Sequence, residues 1–212
     1  MDNFTVLRAI AAPLLRENVD TDLIIRIERL VGATQRNELG RYAFESWRFR
    51  PDGTQEPEFI LNREPYRRAG ILLALDNFGC GSSREGAVWA LKQTGFRAVL
   101  APSFGDIFFN NCFQNGVLPV VLAAADIRAI AHQVEADPER NQVTVDLRRE
   151  VVVAPDGREI AFAIDGLRRR ALLEGLDDIG LTLQHAAEIS AFQARDRGER
   201  PWIWAVEQGG RG

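Results

Sequence analysis

Three apolar runs punctuate the middle of the chain: ILLAL (71–75), RAVLAP (97–102) and VLPVVL (117–122). Each is continuous rather than alternating, as in strands buried on both faces. REGAVWALKQTG follows the first run, with apolar residues at 87, 88 and 91 and Gly95 where a helix C-cap belongs. SFGDIFFNNCFQNG (103–116) follows the second and reads as a helix started by a Ser cap and closed by Gly116. DIRAIAHQVEA (126–136) predicts a third helix. Strand–helix–strand–helix–strand at this spacing predicts βαβ units and a parallel sheet. Pro119 has no N–H to donate, which weakens VLPVVL as a central strand.

Residues 141–164 change character. QVTVDL and VVVAPDGREIAFAI alternate, and the Asp156-Gly157 pair between two apolar runs predicts a hairpin. From 167 the chain reads as helical, with a Gly-and-Asp break near 175–178. The expected fold class is α/β: a central parallel βαβαβ core, an antiparallel hairpin and C-terminal helices. The whole of 1–212 reads as one domain, with a frayed tail over 199–212 ending in QGGRG. Residues 33–69 hold YAFESWRF, PDGTQEPE and REPYRR and show no clear period.

Composition narrows the function classes. The 212 residues are 46% hydrophobic, enough for a sizeable core, and 26 basic against 30 acidic residues give a net charge of −4. That balance leaves no basic footprint for nucleic acid, and the runs LRRE (147–150) and LRRR (167–170) read as solvated faces. No basic n-region precedes an apolar stretch at the N-terminus, and no run approaches the about 18 apolar residues of a membrane span. The expectation is a cytoplasmic protein with no nucleic-acid and no membrane partner. Two cysteines, Cys80 and Cys112, and two histidines, His132 and His185, form no CxxC or HExxH pattern. An iron–sulfur cluster takes about four thiolates, so this chain alone is expected to bind neither a cluster nor another cofactor, and no metal residue is assigned.

The chemistry concentrates in NFGCGSSREG (77–86), between ILLAL and the following helix. In a parallel α/β sheet, ligands bind beyond the carboxyl ends of the strands. Backbone N–H groups at a helix start attract anions, and Arg84 adds a fork of donors suited to a carboxylate or phosphate. Ser82 and Ser83 add hydroxyls, and Gly79 and Gly81 permit a sharp turn and close approach. Two nucleotide loops are excluded. A P-loop lysine is replaced by Ala87, and a GxGxxG pattern is broken by Arg84 at its third glycine. On spacing alone, serines that merely cap the helix explain the string as well as an anion site does.

The string NFGCGSSRE resembles the signature of the 3-isopropylmalate dehydratase small subunits, in the aconitase superfamily. NVDTDLII (18–25), FESWRF (44–49), SFGDIFFNNCFQNGVLPV (103–120) and LDDIGLTLQH (176–185) resemble further motifs of that family in the same order. The resemblance covers nearly the whole chain. It implies the swivelling β/β/α domain, and a 4Fe–4S cluster held by a separate large subunit. The implied reaction is the dehydration of 2-isopropylmalate and rehydration to 3-isopropylmalate in leucine biosynthesis. It implies that Ser82, as an alkoxide, is the base opposite the partner's iron, and that Ser83 and Arg84 bind a substrate carboxylate. Thr21 and Asp22 of the DTD string are implied at the same mouth as substrate-binding residues. Cys80, Asn110, Asn111 and Cys112 read instead as packing and local polar groups.

The chain departs from the family pattern at two places. SREGAVWAL has Gly86 and Val88 where the family usually has His and Pro, and Arg26 replaces the proline of IIP. These changes fit an isopropylmalate enzyme that dispenses with the histidine. They also fit a related hydro-lyase acting on another 2-hydroxy diacid of the methylmalate or citraconate type, with the isopropylmalate activity taken as the default. A non-catalytic binding protein of the same fold is the third reading, against which the intact Ser82, Ser83 and Arg84 stand. Substrate choice is expected to lie within 26–43, where Leu30, Val31 and Leu39 are available to meet an alkyl group.

Overall fold

The structure, a computed structural model, describes residues 1–31 and 36–205, with only the backbone of Arg36. The chain separates into two compact units, Met1–Gly175 and the segment from Leu176 onward. The first unit holds two four-stranded sheets. One stretch of backbone serves both: β1 (Val6–Ala9) belongs to the antiparallel sheet, and β2 (Ala11–Pro13) begins the parallel one. The burial pattern changes with it. β1 alternates exposed and half-buried residues, whereas all of β2 is buried, as expected of strands covered on one face and on both.

After β2 the chain forms α1 (Thr21–Ile24) and α2 (Ile27–Val31). A 3₁₀ segment Arg36–Tyr42 and α3 (Glu45–Arg48) follow. The parallel sheet then continues with β3 (Ile71–Leu73), α4 (Glu85–Thr94), β4 (Ala98–Ala101), α5 (Asp106–Gln114), β5 (Leu118–Val121) and α6 (Ala124–Ala136). The strand order is β2-β3-β4-β5, parallel throughout. This is the expected βαβαβ core with one more strand, β2, at its edge. Pro119 lies on β5, the other edge, where its missing N–H costs no ladder bond. α4 buries Gly86, Ala87, Val88, Ala90 and Leu91 and ends at Gly95, whose φ of 115° lets its N–H reach the Leu91 and Lys92 carbonyls.

The antiparallel sheet adds β6 (Val143–Asp146), β7 (Val151–Val153) and β8 (Glu159–Ala161), in the order β1-β6-β7-β8. The expected hairpin is β7–β8, with Val151 opposite Ala161 and Asp156-Gly157 in its turn. α7 (Gly166–Glu174) closes the unit; Asp165 caps it by accepting from the Leu167 and Arg168 N–H groups. Its arginines do more than meet solvent. Arg169 donates to the carbonyls of Leu147 and Arg148 and pairs with Glu150 at 3.0 Å, stapling the turn between β6 and β7. The second unit contains α8 (Asp178–Leu183), α9 (Ala186–Glu199) and α10 (Pro201–Trp204). The tail expected to fray from 199 is thus helical through Trp204, where Asp196 accepts from Arg200 and from the Trp204 indole at 3.0 Å. Residues 206–212 of that tail lie outside the described residues. Among the described residues no helix is long and apolar enough to cross a membrane.

The expected Ser cap of α5 does not form. Gly105 is the N-cap residue, and Ser103 instead accepts the Asn77 N–H at 2.8 Å. The C-terminal end of α5 is tied to α4 through Asn115. Its amide accepts from the Trp89 indole at 2.8 Å and donates to Glu85 at 3.0 Å and to the Asn111 carbonyl at 2.9 Å. Its own carbonyl receives the Lys92 ammonium at 2.9 Å. Replacement Asn115→Ala removes the side-chain bonds together and is expected to lower stability by about 1–3 kcal/mol, read as a lower urea midpoint with an unchanged slope.

Candidate active site

The residues 77–86 form a loop that continues past the carboxyl end of β3 and is held from both sides by backbone. On one side, the Gly79 N–H donates to the Val19 carbonyl at 2.7 Å and the Thr21 N–H to the Cys80 carbonyl at 2.9 Å, with Asp20 and Cys80 bridged in parallel. On the other, Phe78 donates to the Ser103 carbonyl at 3.1 Å and accepts from Gly105 at 2.9 Å. The order of the parallel sheet is thus carried beyond its strand ends, and the site sits on that extension. Asn18 and Asn77, both at positive φ, meet through their side chains at 2.8 Å. Asn tolerates the left-handed region better than other side chains do, and the sequence pattern gave no signal for this pair.

The loop fits where side chains are missing. Gly79 has φ +73°, and a Cβ there would stand 2.2 Å from the Phe108 ring. A Cβ on Gly105 would meet the Gly79 carbonyl oxygen at 2.5 Å. α5 therefore packs directly onto the loop's backbone.

Ser82 and Ser83 are exposed at the top of the loop. Neither caps α4: Arg84 is the N-cap residue, in extended conformation, and no side chain bonds to the helix's first N–H groups. The capping explanation of the serines therefore fails, and the α4 N-terminus keeps donors and dipole for an anion. The Arg84 side chain is only 13% exposed. Its Nη1 is ion-paired with Asp22 and sealed from solvent. A guanidinium carries five N–H groups, so the pair made by Nη1 leaves donors on the other nitrogens for an acceptor from outside.

The DTD string is brought to the loop, each residue differently. Asp20 caps α1 by accepting the Leu23 N–H at 2.7 Å. Thr21 is 1% exposed, and its hydroxyl donates to the Ser82 carbonyl at 3.0 Å. Asp22 is half-exposed and faces Arg84. Of the alkyl candidates, Leu39 is 2% exposed in the core, Val31 is 77% exposed, and Leu30 lies on the first turn of α4. A Cβ at Gly86 would stand 2.4 Å from Leu30 Cδ2, so the glycine that departs from the family pattern is the seat of Leu30. Arg26, the other departure, is exposed and pairs with Glu28 at 3.3 Å. Residues 32–35 of the stretch expected to set specificity lie outside the described residues.

Among the described residues no three His, Cys, Asp or Glu side chains come together to hold a metal ion. Cys80 is half-buried in the loop, whereas Cys112 is fully buried in α5, where burial pushes its thiol well above the usual range and keeps it unreactive.

The chain is similar to known proteins over nearly its full length. A family model described as the aconitase C-terminal domain matches residues 1–125, and one described as the C-terminal domain of the 3-isopropylmalate dehydratase small subunit matches residues 178–203. The 3-isopropylmalate dehydratase small subunit of Gluconacetobacter diazotrophicus is 54% identical, over 95% of this chain and 97% of that protein. Those of Gluconobacter oxydans and Cupriavidus necator are 50% and 52% identical, covering 99% and 96% of this chain and 99% and 98% of theirs. The crystal structure of a 3-isopropylmalate dehydratase from Methanocaldococcus jannaschii superposes with a TM-score of 0.62 at 27% identity, over 88% of this chain and 99% of that one.

The close approaches predict a contrast among glycines. Gly105→Ala drives a methyl into backbone and is expected to lower stability by about 1–3 kcal/mol. Gly86→Ala meets only the flexible tip of Leu30 and gains helix propensity of up to about 1 kcal/mol. Its net effect is expected to stay within about 1 kcal/mol of the parent in denaturant titrations.

Proposed function

The chain belongs to the family of 3-isopropylmalate dehydratase small subunits, and from that premise we propose that it supplies the base-bearing half of a two-subunit hydro-lyase. The full reaction is the isomerisation of 2-isopropylmalate to 3-isopropylmalate by loss and return of water, in leucine biosynthesis. The other half, with a 4Fe–4S cluster, belongs to a large subunit. The donor groups of this chain's described residues do not fit such a cluster, and no step on this chain is derived through it.

The observation that carries the reading is the juxtaposition of two exposed serines with a largely buried arginine whose charge is held in place by Asp22. Dehydration of a 2-hydroxy diacid requires removal of a proton from a carbon beside a carboxylate. Ser82 takes that proton at its oxygen. An ordinary hydroxyl is far too weak an acid to serve as an alkoxide, and the uncapped start of α4 and the Arg84 charge lower that barrier. Arg84 and the Ser83 hydroxyl bind a substrate carboxylate, through guanidinium N–H groups other than those Asp22 holds. Asp22 borders the same mouth and orients the guanidinium. Leu30, fixed on Gly86, meets the alkyl group of the diacid.

Gly86 also favours a second reading, in which the substrate is a smaller 2-hydroxy diacid of the methylmalate or citraconate type. The family histidine is absent there, and Leu30 occupies the space. The two readings differ only in which diacid turns over.

The test is reconstitution under anaerobic conditions with a cluster-loaded large subunit, following absorbance of the unsaturated intermediate from 3-isopropylmalate and, separately, from citramalate. Ser82→Ala is expected to lower kcat by about 10²–10⁴-fold, and Arg84→Lys to raise KM while the complex still assembles. Turnover of citramalate alone selects the second reading. Turnover by this chain without a partner would sink the two-subunit proposal.

A further inference from the structure

We propose that Thr21 is a positioning residue for Ser82 and Ser83, and not a substrate contact as its place in the DTD string implies. The inference rests on the reading of Ser82 as base. Thr21 is 1% exposed, so its side chain presents almost nothing to a ligand. Both its donors are committed to the loop: the N–H to the Cys80 carbonyl at 2.9 Å, and the hydroxyl to the Ser82 carbonyl at 3.0 Å. The threonine therefore grips the loop at two peptide groups, one on each side of Gly81.

The second grip has a directional consequence. The Ser82–Ser83 peptide is trans, Glu64–Pro65 being the cis peptide among the described residues. In a trans peptide the C=O and the following N–H point in opposite directions. A Ser82 carbonyl held inward by Thr21 therefore aims the Ser83 N–H outward, to the side on which both serine side chains are exposed. No acceptor among the described residues takes that N–H. One hydroxyl buried behind the loop thus fixes the plane that carries the base on one side and an oriented donor on the other. Gly81, at φ +86° just before it, has no side chain to anchor the backbone, so loss of the grip lets the plane turn. Asp22 performs the neighbouring task on Arg84 through the side chain. Three consecutive residues, Asp20, Thr21 and Asp22, thus set the turn, the peptide plane and the guanidinium.

Thr21→Val keeps the shape and removes the hydroxyl; Thr21→Ser keeps the hydroxyl and removes the methyl. In the reconstituted complex, Thr21→Val is expected to lower kcat by about 10- to 100-fold, with KM for the diacid within about twofold, and to shift the basic limb of the pH–rate profile, because the base loses an oriented neighbour. Thr21→Ser is expected to restore most of kcat. A rise in KM with kcat preserved would make Thr21 a substrate contact and overturn the proposal. Equal losses in the Val and Ser variants, with no change in the pH profile, would reduce it to packing and overturn it as well. Should Thr21→Val fail to assemble with its partner, Thr21→Ala against Thr21→Ser makes the same comparison. Ser82→Ala, measured alongside, separates the two levels: if it retains activity the base is elsewhere, whatever Thr21 does.

Discussion

The site depends on backbone pairing that outlasts the strands. β2, β3 and β4 end at Pro13, Leu73 and Ala101, yet their order persists through Asp20 against Cys80 and Phe78 against Phe104. Peptide groups make most of the bonds that hold the loop on these two flanks, and the hydroxyls of Thr21 and Ser103 add one each from outside the loop. A loop fixed by its own N–H and C=O groups can leave hydroxyls and a guanidinium unspent, and unspent polar groups are what a ligand needs. The composition of 77–86 follows: glycines where neighbours crowd the backbone, and polar side chains where the chain faces outward.

The same constraint couples distant pieces of sequence. α5 packs on the loop at Gly79 and Gly105, and the far end of α5 is bonded through Asn115 to Glu85, in the first turn of α4. The loop is thereby enclosed in a closed circuit of β3, α4 and α5. Arg84 projects from the start of α4 with most of its side chain buried, so its direction is set by helix placement more than by its own rotamer freedom. This rigid frame, in turn, leaves α2 to vary. Leu30 reaches the frame by lying across Gly86, a contact made by a flexible tip on bare helix.

Much of this was legible in the order of residues. Continuous apolar runs identified β3, β4 and β5 because a strand covered on both faces needs no polar alternate. β2 was missed: its three residues, AAP, are too short and too small to stand out from the run that includes β1. Gly95 was readable as a cap because left-handed helix ends favour glycine, whereas Ser103 misled. A serine ahead of a helix can serve a loop's N–H as readily as a helix's, and here it bonds Asn77. The 3₁₀ turns and short helices between 36 and 68 have no period to find. Serine, arginine and glycine in one string pointed to an anion site, but the buried side of that site was invisible. Nothing in DTD distinguishes a threonine that faces a ligand from one that faces a carbonyl.

Asp22 raises an electrostatic question that the geometry answers. A carboxylate beside Arg84 would repel the diacid proposed above and compete with it for the same guanidinium. Two features reduce the conflict. Asp22 is 54% exposed, so water screens its charge. And Asp22 meets Arg84 at Nη1, so the ion pair does not exhaust the donors on that fork. A guanidinium has five N–H groups and can hold one carboxylate of its own chain while offering a second edge to another. Asp22 thus offsets the charge of a largely buried guanidinium and aims it, while leaving the outer edge of the fork to a ligand.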